Sequence, residues 1–273
     1  MKNTHFAFII LLAIFLTSCE KEIYVPLNTA PPKLVIDASI KWKKGTLGNK
    51  QQIKLSTTFD YYSNIVPKIS GATIFVKDSN NNTFNFEETD TLGNYNCNNF
   101  IPVLNQEYTL TVQHENQVYT ASETLKPVPV IDKIEQKNDS GFTADVIQVK
   151  AFYTDNGATS DFYLFKFQAS DKTIPSYQVY KDEFYQGNQI FGIYEDKNLK
   201  TDQDLNIAIL GISERYYNYL SILISIAGNT SGAPFQSPPA TVRGNIVNTT
   251  NEKNYPLGYF NLSEMDFRKY TIK

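Results

Sequence analysis

The sequence predicts a mostly β protein: an immunoglobulin-like or prealbumin-like sandwich, then a second antiparallel β domain carrying one α-helix. Three observations support this. Apolar and polar residues alternate from Lys33 onward. Short β-branched and aromatic runs recur between Gly, Asn, Asp and Pro, and only one stretch of the chain beyond Lys33 has helical spacing.

In the first half, strands are expected at 34–36, 53–56, 72–77, 83–87, 108–113 and 118–123. Asp78-Ser79-Asn80-Asn81-Asn82 joins two of them through residues that tolerate left-handed backbone, and His114-Glu115-Asn116-Gln117 joins two more. Leu125-Lys126-Pro127-Val128-Pro129-Val130 breaks the pattern, because prolines two apart do not fit a central strand. A boundary is therefore placed here, giving domains at 33–126 and 127–273. Beyond it, strands are expected at 130–136, 144–153, 162–168, 177–181, 189–194 and 204–210, then near 241–247, 256–262 and 266–272. Phe162 to Phe167 is apolar on both faces, as in a strand at the middle of a packed sheet.

The helix is expected over 213–227. Tyr216, Tyr217, Leu220, Leu223, Ile224 and Ala227 recur at helical spacing, Ser213 is an N-cap, Glu214 suits the first turn and Gly228 offers a stop. Such a stripe is more often core than binding face, so the helix is expected to lie on the second sheet. The long irregular segment from Gly228 to Pro239 has the composition of a functional or mobile loop.

The N-terminus follows different rules. Lys2 precedes an apolar run from Phe6 to Leu16, then Leu16-Thr17-Ser18-Cys19. A run of roughly ten apolar residues is too short to span a bilayer, which needs about twenty, but matches a secretory signal. The tetrapeptide resembles the bacterial lipobox, so residues 1–18 are read as a lipoprotein signal peptide and Cys19 as the lipidated residue anchoring the chain to a membrane. An ordinary secretory signal with a chance cysteine is the competing reading. Residues 19–32, with charges and three prolines, form a tether. Glu20-Lys21-Glu22 partly matches the signal that exports some lipoproteins to the cell surface.

Composition narrows the chemistry. A net charge of −3 offers no case for nucleic acid. The two cysteines are Cys19 and Cys97, and lipid on the first rules out a disulfide between them. His5 belongs to the signal, leaving His114 alone, so material for a zinc or copper site is lacking; no metal and no cofactor are expected. A nucleophilic serine or cysteine would need His114 as its base, yet His114 falls in a hairpin turn. Neither a Gly-x-Ser-x-Gly elbow nor a phosphate-binding glycine loop is present.

Glycosidases require only two carboxylates, so Asp182-Glu183, Glu195-Asp196 and Glu87-Glu88 are weighed. Neighbours on a strand point to opposite faces, and solvated strand ends explain these pairs better. Asp78-x-Asn80-x-Asn82 begins like a calcium loop but has Thr83 where Gly belongs; Asp202-x-Asp204 reads equally as a calcium fragment or a turn before a strand. Aromatic residues in turns and loops, Tyr61, Tyr62, Tyr185 and Phe235, are candidates for a contact surface. Asp90-Thr91-Leu92 matches a triplet used for bacterial O-glycosylation, which makes Thr91 a candidate acceptor.

Taken in order, Cys19-Glu20-Lys21-Glu22-Ile23, Pro32 to Ile36, Gly71-Ala72-x-Ile74-x-Val76, Gly93-x-Tyr95 and Tyr108 to Val112 resemble the Bacteroidota outer-membrane lipoproteins catalogued as domain of unknown function 4249. Asp182-Glu183-Phe184-Tyr185-x-Gly187, the Tyr-rich helix, Pro234-Phe235 and Leu257-Gly258-Tyr259-Phe260 extend the resemblance to nearly the whole mature chain. The resemblance implies an accessory lipoprotein of the outer membrane, lipid-anchored and exposed at the cell surface, acting beside a TonB-dependent transporter. The expectation is a non-catalytic binding protein for a small ligand or glycan. A carbohydrate-active enzyme and a structural or adhesive envelope protein are the alternatives.

Overall fold

The computed structural model describes residues 31–60, 63, 65–141, 146–182, 187–228 and 242–273. Seven strands fill the first half: β1 (Leu34–Lys43), β2 (Gln51–Thr57), β3 (Thr73–Asp78), β4 (Thr83–Glu88), β5 (Asn94–Cys97), β6 (Glu107–His114) and β7 (Gln117–Thr124). The second half holds β8 (Ile131–Ser140), β9 (Val146–Thr154), β10 (Phe162–Ala169), β11 (Ser176–Lys181), β12 (Gln189–Asp196) and β13 (Asp204–Ile212). Then come helix α1 (Glu214–Gly228), β14 (Val247–Asn248) and β15 (Leu257–Thr271). Mostly β with one helix among the described residues, the chain has the expected fold class.

Alternation builds the first sandwich. On β1, Ile36, Ala38 and Ile40 point inward to meet Ile53 and Leu55 of β2, Ile74 and Val76 of β3, and Leu110 and Val112 of β6. The β6–β7 hairpin turns at Glu115 and Asn116, both with positive φ, the geometry of the two-residue turn that suits strand twist. Asp78 closes the β3–β4 turn, its Oδ1 accepting from the Asn80 and Asn82 amides at 2.9 and 2.8 Å. The calcium-like Asp78-x-Asn80-x-Asn82 is thus a turn. Between β4 and β5, Gly93 adopts φ 73°, where a Cβ would sit 2.5 Å from the Leu55 carbonyl.

The second half stacks three layers. Strands β8, β9 and β12 form one sheet; β11, β10, β13 and the C-terminal half of β15 form its partner. Tyr153, Tyr163, Phe165, Phe167, Ile207 and Ile209 pack between them. Helix α1 covers the opposite face of β10 and β13 through Leu164, Leu210, Ile212 and Leu220. This explains why Phe162–Phe167 is apolar on both faces.

Three expectations need correction. Strands near 256–262 and 266–272 are a single strand, β15, with no break at Ser263 to Asp266. Those polar residues are buried: the Val128 amide donates to Glu264 Oε2 at 3.0 Å and the Ile131 amide to Asp266 Oδ2 at 2.8 Å. Secondly, β1 pairs with β15 in parallel within an otherwise antiparallel fold, because the partner arrives from the far end of the chain instead of a hairpin. Thirdly, the strand expected near 241–247 is reduced to the two residues of β14, while β5, not expected as a strand, bridges β2 and β4.

Pro32–Lys273 forms one compact unit. The core changes near the Pro127–Pro129 segment, but β15 crosses this point. Phe260 and Leu262 belong to the first core, whereas Tyr270 packs on the second. Gly258 permits the approach of β15 to β1: at φ 99°, a Cβ there would lie 2.0 Å from the Ile36 carbonyl.

Candidate functional site

A groove of about 690 Å³ lies between α1 and the outer face of the long sheet, within the usual range for a small-molecule site. Ser213 starts its helical wall, its Oγ accepting the Tyr216 amide at 3.2 Å and donating to Glu123 Oε2 at 2.8 Å. The helix then settles on β10 and β13, with the Tyr217 ring 5.2 Å from that of Phe162. Toward β1 it turns the hydroxyl of Tyr216, hydrogen-bonded to Ser39, and the strand gives the reason. The outer face of β1 presents Asp37, Ser39 and Lys41, which an apolar helix face would have to desolvate.

The result is a groove with two chemically distinct sides. Leu164, Leu210, Leu220, Leu223, Ile224 and Met265 supply the apolar side; Asp37, Ser39, Lys41, Lys166 and Asn261 form a polar rail. Register fixes the rail, because Ser39 faces Asn261 across β1 and β15 and donates to its Oδ1 at 2.6 Å. Ile174, Tyr177 and Leu223 stay exposed at 79%, 41% and 40%, making the mouth apolar. Apolar residues at the opening are what a ligand would cover.

Electrostatics add detail. Lys41 keeps an open side-chain surface, yet the surrounding walls remove water and lower its pKa. Asp37 opposes that shift, and the like charges of Lys166 and Lys54 add to it. Burial raises the hydroxyls of Tyr216, Tyr219 and Tyr177 above the usual phenol range, and the Asp37 charge pushes each further. Tyr216, Tyr219 and Tyr259 cluster next to the rail, with ring centroids 4.5 to 6.1 Å apart.

The expected core stripe on α1 therefore divides. Leu220 is buried and Tyr216, Tyr217 and Ile224 half-buried, but Leu223 and Ala227 stay exposed along the groove. Other expectations fall elsewhere. Cys19, Tyr61, Tyr62, Tyr185 and Phe235 lie outside the described residues. Thr91 is exposed in the turn between β4 and β5, open to modification. Cys97 is fully buried, its thiol pKa raised by burial, and its Sγ lies 3.2 Å from Asn99 Oδ1.

Two of the three weighed carboxylate pairs supply structural contacts. Glu88 accepts from the Gly71 and Gly93 amides at 3.0 Å each and from Ser70 at 2.7 Å. Asp196 holds the Asn198 amide and Lys172, and Glu195 accepts from Gln148. Asp204 binds Lys269 and Thr271, which accounts for Asp202-x-Asp204 as a turn before β13. Asp182 is buried, and Glu183 lies outside the described residues. No described helix is long and apolar enough to cross a membrane.

Fold and groove define a β-sandwich protein with one helix packed on an outer sheet face. The particular family is shown by sequence: residues 20–266 match the model for "Domain of unknown function (DUF4249)", and the chain belongs to that family. No curated protein matches it. Among solved structures it is similar to a two-fibronectin type-III segment of chicken tenascin, at 12% identity over 66% of this chain and 90% of that one, TM-score 0.23. A DUF4785 family protein from Legionella pneumophila matches at 10% identity over 65% of this chain and 52% of that one, TM-score 0.27. A cytokine receptor complex matches at 6% identity over 88% and 96%, TM-score 0.26.

Proposed function

We infer that the protein is a non-catalytic binding lipoprotein that holds a small amphipathic anion in the groove under α1. The groove is the observation that carries this reading. Its apolar side fits a hydrocarbon or aromatic body, and an anionic end would relieve the repulsion between Lys41 and Lys166. The lipobox-like Leu16-Thr17-Ser18-Cys19 supports attachment to a membrane through lipid on Cys19. The family resemblance supports a place at the outer membrane, exposed at the cell surface beside a TonB-dependent transporter. Capture by this protein would then precede uptake by that partner.

The test of placement is purification of the tagged full chain from its own membranes in mild detergent. The expected result is a TonB-dependent transporter eluting with it and, for Cys19→Ser, loss of the lipoprotein but not of the transporter from the membrane fraction. A lipoprotein that elutes with no transporter sinks the partner reading. A Cys19→Ser chain that stays membrane-bound sinks the anchor.

A further inference from the structure

At one end of the second sandwich, register brings together three aspartates that sequence spacing does not connect. Asp155 follows β9, Asp161 precedes β10 and Asp182 follows β11. Because Phe162 pairs with Lys181, Asp161 and Asp182 lie opposite each other, and the Asp182 amide donates to the Asp161 carbonyl at 3.2 Å. Asp155 arrives from the facing sheet, its amide bonded to the Asn188 carbonyl at 3.2 Å. One carboxylate oxygen from each of the three lies within 4.8 Å of the other two.

Hydrogen bonding leaves this cluster incomplete. Asp155 accepts from the Tyr163 hydroxyl at 2.5 Å and the Gly187 amide at 3.3 Å; Asp161 accepts from Thr159 at 2.6 Å. Asp182 is only 1% exposed, receives a long 3.4 Å bond from Ser160 on Oδ1, and among the described residues has no partner on Oδ2. The Tyr153 hydroxyl, which feels the charges of Asp155 and Asp182, is also buried without a partner. Among the described residues none of the three aspartates forms an ion pair. Burial, together with the charges of Asp155 and Asp182, outweighs the Thr159 hydrogen bond and Lys126 and raises the Asp161 pKa. Buried like charges with an orphaned oxygen call for a cation.

We propose that Asp155, Asp161 and Asp182 form a calcium site joining the two sheets of the second sandwich. All donors are carboxylate oxygens, with no sulfur or imidazole, so the ion is a hard one. Calcium takes oxygens at about 2.3–2.6 Å, so ligands on opposite sides are about 5 Å apart; magnesium would require about 4 Å and octahedral geometry. Ligands drawn from three separate loop ends suit the irregular coordination of calcium. Tyr153 would donate to a carboxylate or to a water on the ion.

The test uses the full chain in mild detergent, stripped with EGTA and titrated with CaCl₂ or MgCl₂ while thermal unfolding is followed. Calcium at a hundred times its Kd should raise Tm by about 5–10 °C, and magnesium at the same concentration by less than half that. Tb³⁺ should show luminescence sensitised by Tyr153 and Tyr163. Asp182→Asn should weaken calcium binding at least tenfold and quench the terbium signal, while leaving Tm in EGTA equal or higher because like charges no longer meet. Asp161→Asn, a change at a half-buried position, is the second variant should Asp182→Asn fail to fold, with the same loss expected. No shift at about 10 mM calcium, or an undiminished shift in the variant that folds, overturns the proposal; so does a magnesium response equal to that of calcium.

Discussion

The two sandwiches treat buried tyrosines in opposite ways. In the first, the Tyr95 hydroxyl donates to the Ile69 carbonyl and accepts the Ala72 amide, while Tyr108 donates to the Ile101 carbonyl and accepts the Val103 amide. Each pins an irregular segment to the core. In the second, Tyr153 donates to nothing and Tyr163 donates to an aspartate that already faces two others. Among the described residues the first region has no buried side-chain N or O atom without a partner, whereas the second has two and also bears α1 and most of the groove. Unsatisfied burial costs stability unless a ligand repays it, which is why both proposals fall in the second half.

Five changes would break or sharpen that contrast. The largest effect is expected from Phe260→Ala on β15, the strand both cores share: a loss of about 3–5 kcal/mol in denaturant unfolding. The transition should remain single, since β15 carries the loss to both regions; two separate transitions would mean that the sandwiches unfold independently. Next, Tyr108→Phe should cost about 1–3 kcal/mol by orphaning the Val103 amide. Tyr153→Phe should change stability by less than about 0.5 kcal/mol in the calcium-free protein, because no partner is lost. Equal costs for the two tyrosines would erase the contrast.

Smaller still is Leu223→Glu at the groove mouth, whose charge would repel the anion. This exposed position should tolerate the change within about 0.5 kcal/mol, while binding of an amphipathic anion falls. The smallest effect concerns acid. Backbone bonds from Gly71 and Gly93, then the bond from Ser70, hold the Glu88 carboxyl below its usual pKa of 4.5. Its contribution is fully present above that value and fades as pH falls through the lower folded pKa. Glu88→Gln should flatten that part of the pH–stability curve, with little change near pH 7 in the slope.

Much of the fold was legible because alternation and turn chemistry are local. The hairpin at His114–Gln117, the Asp78–Asn82 turn and the N-cap at Ser213 each depend on a few adjacent residues. Strand β15 was misread because Ser263-Glu264-Met265-Asp266 looks like a turn; its carboxylates are buried on account of amides in the Pro127–Ile131 segment over a hundred residues away. The α1 stripe was read as core since helical spacing does not reveal that β1 meets it with Asp37 and Lys41. The aspartate cluster is not legible from short spacing, because the β10–β11 register sets Asp161 beside Asp182 and Asp155 reaches them from the facing sheet. Asp182, singled out within an acidic pair, was the one signal available.

Native mass spectrometry of the chain isolated from its own membranes tests the binding claim most directly. The expected result is an added small-molecule mass on the wild-type protein that is absent from a folded Leu223→Glu variant. The same adduct on both proteins, or none on either, would contradict a ligand in the groove beneath α1.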